Sequence, residues 1–107
     1  MYVRIVTFRL NGVTPAEYAE GATGLAPVFT TWPGLLAKVW IADEDTGTYG
    51  GVYTFTDRAA ADRSRDTDVF RSLEANPGFA DLTVREFDVL EAPTEISASI
   101  FTGVHAR

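Results

Sequence analysis

The order of secondary-structure signals along the chain constrains its fold more than any other feature. Apolar, β-branched and aromatic residues predict four strands, at residues 2–10, 35–41, 49–55 and 82–90. Helix signals occupy the segments after the first and third strands. The order β-α-β-β-α-β predicts an α+β, ferredoxin-like sandwich in which an antiparallel sheet carries both helices on one face.

The first helix has a strong start signal and a weak end. Thr14 can cap free N–H groups, Pro15 suits the first helical position, and Glu17 completes a capping box. Glycines within the segment and Pro27 weaken its second half, so we expect a kink or mobility toward Phe29.

The second helical region is predicted to start at Asp57 and to end at residues 76–78, Asn-Pro-Gly. Residues 64–66 are expected to divide it into two pieces. The polar linker at residues 43–47 is short, so the second and third strands should form a hairpin.

Length, charge and composition exclude several classes of protein. A chain of 107 residues suits one domain, and a net charge of −6 disfavours a nucleic-acid partner. There is no cysteine, which rules out disulfides and thiolate metal sites. We find neither a signal peptide nor an apolar run that could span a membrane, and we expect a cytoplasmic protein without a membrane partner.

Several predicted strands are apolar on both faces, although two helices can cover only one face of the sheet. The uncovered face would leave a larger apolar patch than a soluble monomer usually exposes. We therefore expect a homodimer that packs sheet against sheet. The domain is predicted to span residues 1–95, and the apolar tail at residues 96–107 to pack on the domain or on the partner subunit.

Three segments resemble the YdhR-like mono-oxygenases, a family of the dimeric α+β barrel superfamily that also holds antibiotic-biosynthesis monooxygenases. They are Leu36-Ala37-Lys38-Val39-Trp40, Gly50-Gly51-Val52-Tyr53-Thr54-Phe55-Thr56-Asp57 and Phe87-Asp88-Val89. Together with their spacing they cover most of the chain. The resemblance implies a sheet-to-sheet homodimer, a dimeric α+β barrel, and oxidation of a small aromatic, polyketide-like molecule without a cofactor.

Three residues are candidate catalytic residues: Lys38, Trp40 and Tyr53. Lys38 and Trp40 lie two apart on a strand, so both leave the same face and could meet a planar substrate by charge and stacking. Tyr53 offers a phenol that could donate a proton. The alternative for all three is structural, with core aromatic rings beside a lysine that buries its stem and extends its ammonium to water.

Three further residues are candidate substrate-binding residues, namely Thr7, Tyr49 and Phe55. Tyr49 shares a strand face with Tyr53 and Phe55. Arg4 and Thr7 come from the first strand, which this sheet plan places centrally, but they leave opposite faces. Each could bring a cation or a hydroxyl into a cavity.

No cofactor or metal motif is recognisable. Gly50-Gly51 lacks the surroundings of a phosphate loop and is typical of a bulge or of a close approach by another backbone or a ligand. His105 is the only histidine, so the chain offers neither a two-histidine metal site nor a convincing Ser-His-Asp triad. Acidic clusters such as Asp43-Glu44-Asp45 are interpreted as solvent-exposed loop residues rather than as metal ligands. Two functions besides mono-oxygenation stay open: a polyketide cyclase or isomerase, and a non-catalytic dimer that binds a small hydrophobic ligand.

Overall fold

The computed structural model describes residues 1–98 and contains four strands and four helices. The strands are β1 (Tyr2–Leu10), β2 (Leu35–Asp43), β3 (Thr48–Phe55) and β4 (Phe79–Asp88), and the helices are α1 (Pro15–Phe29), α2 (Arg58–Ser64), α3 (Asp68–Ala75) and α4 (Glu91–Ser97). None of the helices within residues 1–98 is both long and apolar enough to cross a membrane.

The four strands form one antiparallel sheet in the order β2-β3-β1-β4, which confirms the ferredoxin-like α+β fold. β1 is central, as predicted, and β2 and β3 form the predicted hairpin. The register places Arg4 beside Tyr53 and Tyr53 beside Lys38. Side chains of three strands therefore meet on one face of the sheet.

The helix signals are confirmed at their start points. Thr14 accepts a hydrogen bond from the backbone N–H of Glu17 (3.1 Å), and the Glu17 carboxylate accepts one from the backbone N–H of Thr14 (2.9 Å). α1 continues through Pro27 to Phe29 as one helix. Asp57 and Thr67 cap α2 and α3, so the second helical region is divided as expected.

The C-terminal third differs from the sequence prediction. β4 begins at Phe79, three residues early, because Gly78 already joins the sheet edge by accepting a hydrogen bond from the Asn11 N–H (2.8 Å). α4, at Glu91–Ser97, was not predicted, and the domain boundary between residues 95 and 96 stays a prediction. Residues 99–107 of the proposed tail, including His105, lie outside the described residues.

The two faces of the sheet differ in their cover. One face packs against the helices and holds the core, which includes Val6, Phe8 and Phe55. On the other face, within residues 1–98, Val39 and Phe87 are 51% and 44% exposed. The functional site must be sought on the covered face, where the helices leave a space.

Candidate functional site

A cavity of about 430 Å³ lies between α1, α3 and the covered face of the sheet. Its walls are mainly apolar and aromatic, and its volume falls within the usual range for small-molecule sites. Lys38 lines this cavity, and the aromatic residues on its wall include Tyr18, Phe29, Trp32, Trp40 and Tyr53.

Small residues create this space. α1 presents Gly21 and Ala22 to the cavity, and a Cβ added at Gly21 would meet no atom within 4 Å. A Cβ added at Gly51 would lie 2.9 Å from Cε of Lys38, so the lysine stem rests over this glycine. Gly50 lies so close to the Val6 backbone that it has no room for a side chain, which confirms a close approach at the glycine pair.

Three aromatic rings surround the Lys38 amine. Nζ lies 3.5 Å from the ring centroid of Trp40, 3.6 Å from that of Phe29 and 4.6 Å from that of Tyr53. Phe29 meets Trp40 edge to face with centroids 5.6 Å apart. The amine therefore sits at π faces that attract its protonated form.

Burial of the Lys38 amine, in contrast, disfavours its protonated form. Desolvation lowers the pKa of Lys38 to about 7, because the charged form loses water on entering the cavity wall. Among residues 1–98, no carboxylate pairs with Nζ within ion-pair distance. Near neutral pH, Lys38 is thus poised between an ammonium ion and a free amine, which is the property of a general base.

The two tyrosines on the cavity wall stay protonated. Burial raises the pKa of Tyr53, and burial together with Tyr49 raises that of Tyr18. Their phenols can donate hydrogen bonds but cannot act as bases near neutral pH. Within residues 1–98, Lys38 is the one basic side chain that lines the cavity, and Glu17 and Asp68 supply carboxylates at its exposed rim.

The structure brings the three candidate catalytic residues together, since Lys38, Trp40 and Tyr53 all line the cavity. Their roles stay a prediction. Tyr49 lines a neighbouring groove of about 490 Å³ between α1 and β2, whose wall includes Tyr18 and Trp40.

The other two candidate substrate-binding residues lie elsewhere. Phe55 is fully buried in the core at 0% exposure and does not line the cavity. Thr7 lies on the uncovered face, where its hydroxyl shares a hydrogen bond of 2.6 Å with that of Thr83. Neither is part of the site proposed below.

Arg4 does not bring its charge into the cavity. It is fully buried beneath α2, and its Nε donates to the Glu86 carboxylate, Nη1 to the Ser64 hydroxyl and Nη2 to the Ala61 carbonyl, each at 2.7 Å. Arg65 donates to the same Glu86 oxygen at 2.8 Å. Arg4 is a structural cation whose partners come from α2 and β4.

Phe29 and Trp32 are among the aromatic residues of the cavity wall that the sequence did not single out as site residues. The two rings pack edge to face at 4.8 Å, and Trp32 stacks on Tyr53 at 6.1 Å. The available signal was a tryptophan in the turn that follows α1, because a ring of that size is expected to be buried against neighbouring side chains.

Residues 1–98 contain no group of three His, Asp or Glu side chains placed to hold a metal ion.

Comparison with known proteins supports the resemblance seen in the sequence. The family model described as "Putative mono-oxygenase ydhR" matches residues 3–100. No curated protein sequence matches the chain.

Solved structures show the same fold. A protein described as a "putative antibiotic biosynthesis monooxygenase" from Deinococcus radiodurans has a TM-score of 0.71 at 14% identity, over 86% of this chain and 95% of that chain. SnoaB, described as a cofactor-independent oxygenase from Streptomyces nogalater, has a TM-score of 0.66 at 20% identity, over 82% and 91% of the two chains. A mutant of MhuD with two manganese protoporphyrin IX molecules per active site has a TM-score of 0.67 at 17% identity, over 84% and 95%.

Proposed function

The chain belongs to the YdhR family of mono-oxygenases, and we propose that it oxidises an electron-rich, polyketide-like aromatic molecule without a cofactor, in the cavity of a homodimer. One observation carries the proposal: the Lys38 amine lies on the wall of an apolar cavity, against aromatic faces, with its pKa lowered to about 7. Such a base can generate the substrate carbanion that reduces oxygen.

The cavity suits a flat, neutral ring system. Trp40 and Phe29 offer ring surfaces for stacking, and about 430 Å³ is enough space for a fused aromatic molecule. Two proteins of this fold support an aromatic substrate that is oxidised without a cofactor. SnoaB is described as a cofactor-independent oxygenase, and the MhuD mutant holds planar porphyrins in its active site. Lys38 lies at the ring faces, where it can reach an acidic C–H bond of a stacked ligand.

An anthrone illustrates the balanced reaction. The Lys38 amine removes a proton from the ring CH₂, and the carbanion passes one electron to O₂. The substrate radical and superoxide then combine to form a C–O bond, and the peroxide takes back the proton from the Lys38 ammonium. Loss of the second C–H proton and of hydroxide, as water, leaves a carbonyl group. One oxygen atom enters the quinone and the other leaves as water.

Oxygen consumption by the purified protein on anthrones and dihydroxynaphthalenes tests this proposal. We expect saturable uptake well above the spontaneous rate, with a chelator present and no flavin added. Product mass should show one oxygen atom from ¹⁸O₂ in each quinone. A ring-closed or isomerised product formed without oxygen would favour a cyclase or isomerase, and a ligand recovered unchanged would favour a binding protein. Either result would contradict the mono-oxygenase proposal.

The dimer is the second part of the proposal. The uncovered face of the sheet is apolar along β1, β2 and β3, where Ile5, Val39 and Val52 lie in register. Leaving this surface in water costs about 25 cal/mol for each Å² that a partner could cover. A second copy, packed sheet against sheet, covers it.

Val39→Asp is expected to convert the dimer into a monomer, because it places a charge on the apolar part of that face, beside Val52. Sedimentation equilibrium at micromolar concentration measures the change. Val28→Asp is the matched control, since Val28 is also an exposed valine but lies on α1. A wild-type chain that sediments as a monomer would refute the dimer, whatever the variants do.

A further inference from the structure

Lys38 is the only lysine in the chain, and it lies on the wall of the cavity rather than on the surface. We propose that Lys38 also forms an imine with apolar aldehydes or ketones that enter this cavity. This inference rests on the cavity of the proposed function but needs neither oxygen nor an acidic C–H bond. It adds carbonyl compounds to the ligands of the site.

The reaction balances without an oxidant. The Nζ lone pair attacks the carbonyl carbon, a C–N bond forms, and the C=O π electrons move to oxygen. Proton transfer from nitrogen to oxygen gives the carbinolamine. Loss of that oxygen as water, with a proton from nitrogen, leaves the C=N bond. Water reverses the sequence, so the adduct is stable only after a reductant has trapped it.

Three features make this amine a nucleophile. No carboxylate within the described chain holds it as an ammonium ion. With the pKa lowered to about 7, about half of Lys38 is a free amine at pH 7, against roughly one part in three thousand for a lysine with the ordinary value of 10.5. Gly51 leaves Cε room to lie at the wall, and Lys38 lines the cavity that a ligand would enter.

The charged and titratable groups around the cavity select the ligand. Glu17 of α1 and Asp68 of α3 place negative charge at the rim, and Tyr18 and Tyr53 stay neutral. Anionic carbonyl compounds are repelled at the entrance, while neutral aromatic ones gain stacking on Trp40. We therefore expect 2-naphthaldehyde to react faster than pyridoxal phosphate.

The single lysine gives the experiment a specific readout. Full-length protein is incubated at pH 7 with 2-naphthaldehyde and cyanoborohydride, then denatured and digested with a protease that cuts only after lysine. Unmodified chains are cut once, after Lys38, whereas reductive alkylation of Nζ abolishes that cut. The competing amine, the Met1 N-terminus, ion-pairs with Glu91, and its modification leaves the cut intact.

We expect the folded protein to lose the cut at least tenfold faster than the same chain unfolded in urea. Lys38→Met should gain no more adduct mass than N-terminal labelling provides. Gly51→Ala, which displaces Cε, should slow the reaction several-fold and so test the geometry in a variant that retains the lysine. Equal rates in the folded and unfolded protein, or adduct at the N-terminus alone, would overturn the imine proposal.

Oxygen uptake by the same preparation separates the two proposals. Trapping at Lys38 without oxygen uptake would support the imine and contradict the mono-oxygenase. Oxygen uptake without trapping at Lys38 would support the mono-oxygenase and contradict the imine.

Discussion

Lys38→Met is expected to slow oxygen uptake on an anthrone about a hundredfold or more, because general-base catalysis typically contributes a factor of about 10² to 10⁴. Methionine keeps the apolar stem on the cavity wall but cannot take a proton. The fold should survive, and we expect this variant to be more stable than the wild type at pH 7. The unfolded chain binds a proton at Lys38 that the folded chain holds weakly, so this lysine lowers stability below its ordinary pKa.

The pH profile identifies the role of the amine. The base must be deprotonated, so wild-type kcat/KM should rise with pH around the Lys38 pKa of about 7 and level off above it. Lys38→Arg keeps the positive charge but cannot supply a base near neutral pH, and it should be as slow as Lys38→Met. Arg58→Gln is the matched control for the loss of one charge, because Arg58 is exposed on α2.

Activity retained in Lys38→Arg would contradict this account, because it would show that Lys38 acts by its charge. A wild-type rate without pH dependence between 5.5 and 8.5, about 1.5 units either side of the proposed pKa, would contradict it as well.

Glu86→Gln is expected to lower the free energy of unfolding by about 3 kcal/mol, because it leaves the buried Arg4 charge without its counter-ion. Glu86 accepts hydrogen bonds from Arg4 and Arg65, and its side chain is only 16% exposed. The remaining partners of Arg4, the Ala61 carbonyl and the Ser64 hydroxyl, are neutral. Denaturant unfolding followed by circular dichroism measures the loss.

The difference in the free energy of unfolding between the wild type and Glu86→Gln should become smaller at low pH. Burial acts to raise the pKa of Glu86, but hydrogen bonds from Arg4 and Arg65 and their charges outweigh it, and the net pKa is lowered. A carboxylate with a lowered folded-state pKa contributes stability above its unfolded pKa and loses it as pH falls through the folded value. The wild type and Glu86→Gln should therefore converge at low pH.

Two controls bracket the Glu86 effect. Asp62→Asn removes an exposed partner of Arg58 and should leave stability essentially unchanged. Adding Arg4→Met to Glu86→Leu should restore part of the loss seen with Glu86→Leu alone, since no unpaired charge then stays buried. A double variant whose loss equals the sum of the single losses would show that the two groups do not act as a pair.

Local signals predicted most of the fold. β1 was placed at its observed bounds because its residue types favour a strand and Asn11-Gly12 follows, and α1 was placed by its capping box. Both signals involve residues that are close together in the sequence, so they can be recognised without knowing the tertiary structure. α4 was missed because its start at Leu90 has no side-chain cap to signal a helix.

The sequence predicted only part of the site, because the remaining part depends on contacts between residues far apart in the sequence. Period-two spacing places Lys38 and Trp40 on one strand face, but it does not say whether helices cover that face. Arg4 was a candidate cavity cation because its partners, Ala61, Ser64 and Glu86, lie 57 to 82 residues away along the chain. Contacts at such separations depend on the assembled sheet, which spacing alone does not reveal.

The measurement that tests the central claim most directly is the titration of Lys38 itself. Because the chain has one lysine, protein labelled with ¹³C-lysine gives one Cε resonance, which can be followed by NMR from pH 5 to 11. We predict a single transition near pH 7, moving toward 10.5 when the chain is unfolded in urea. A folded-state midpoint at or above 10 would show that Lys38 stays an ammonium ion at neutral pH, and it would contradict its role as the base.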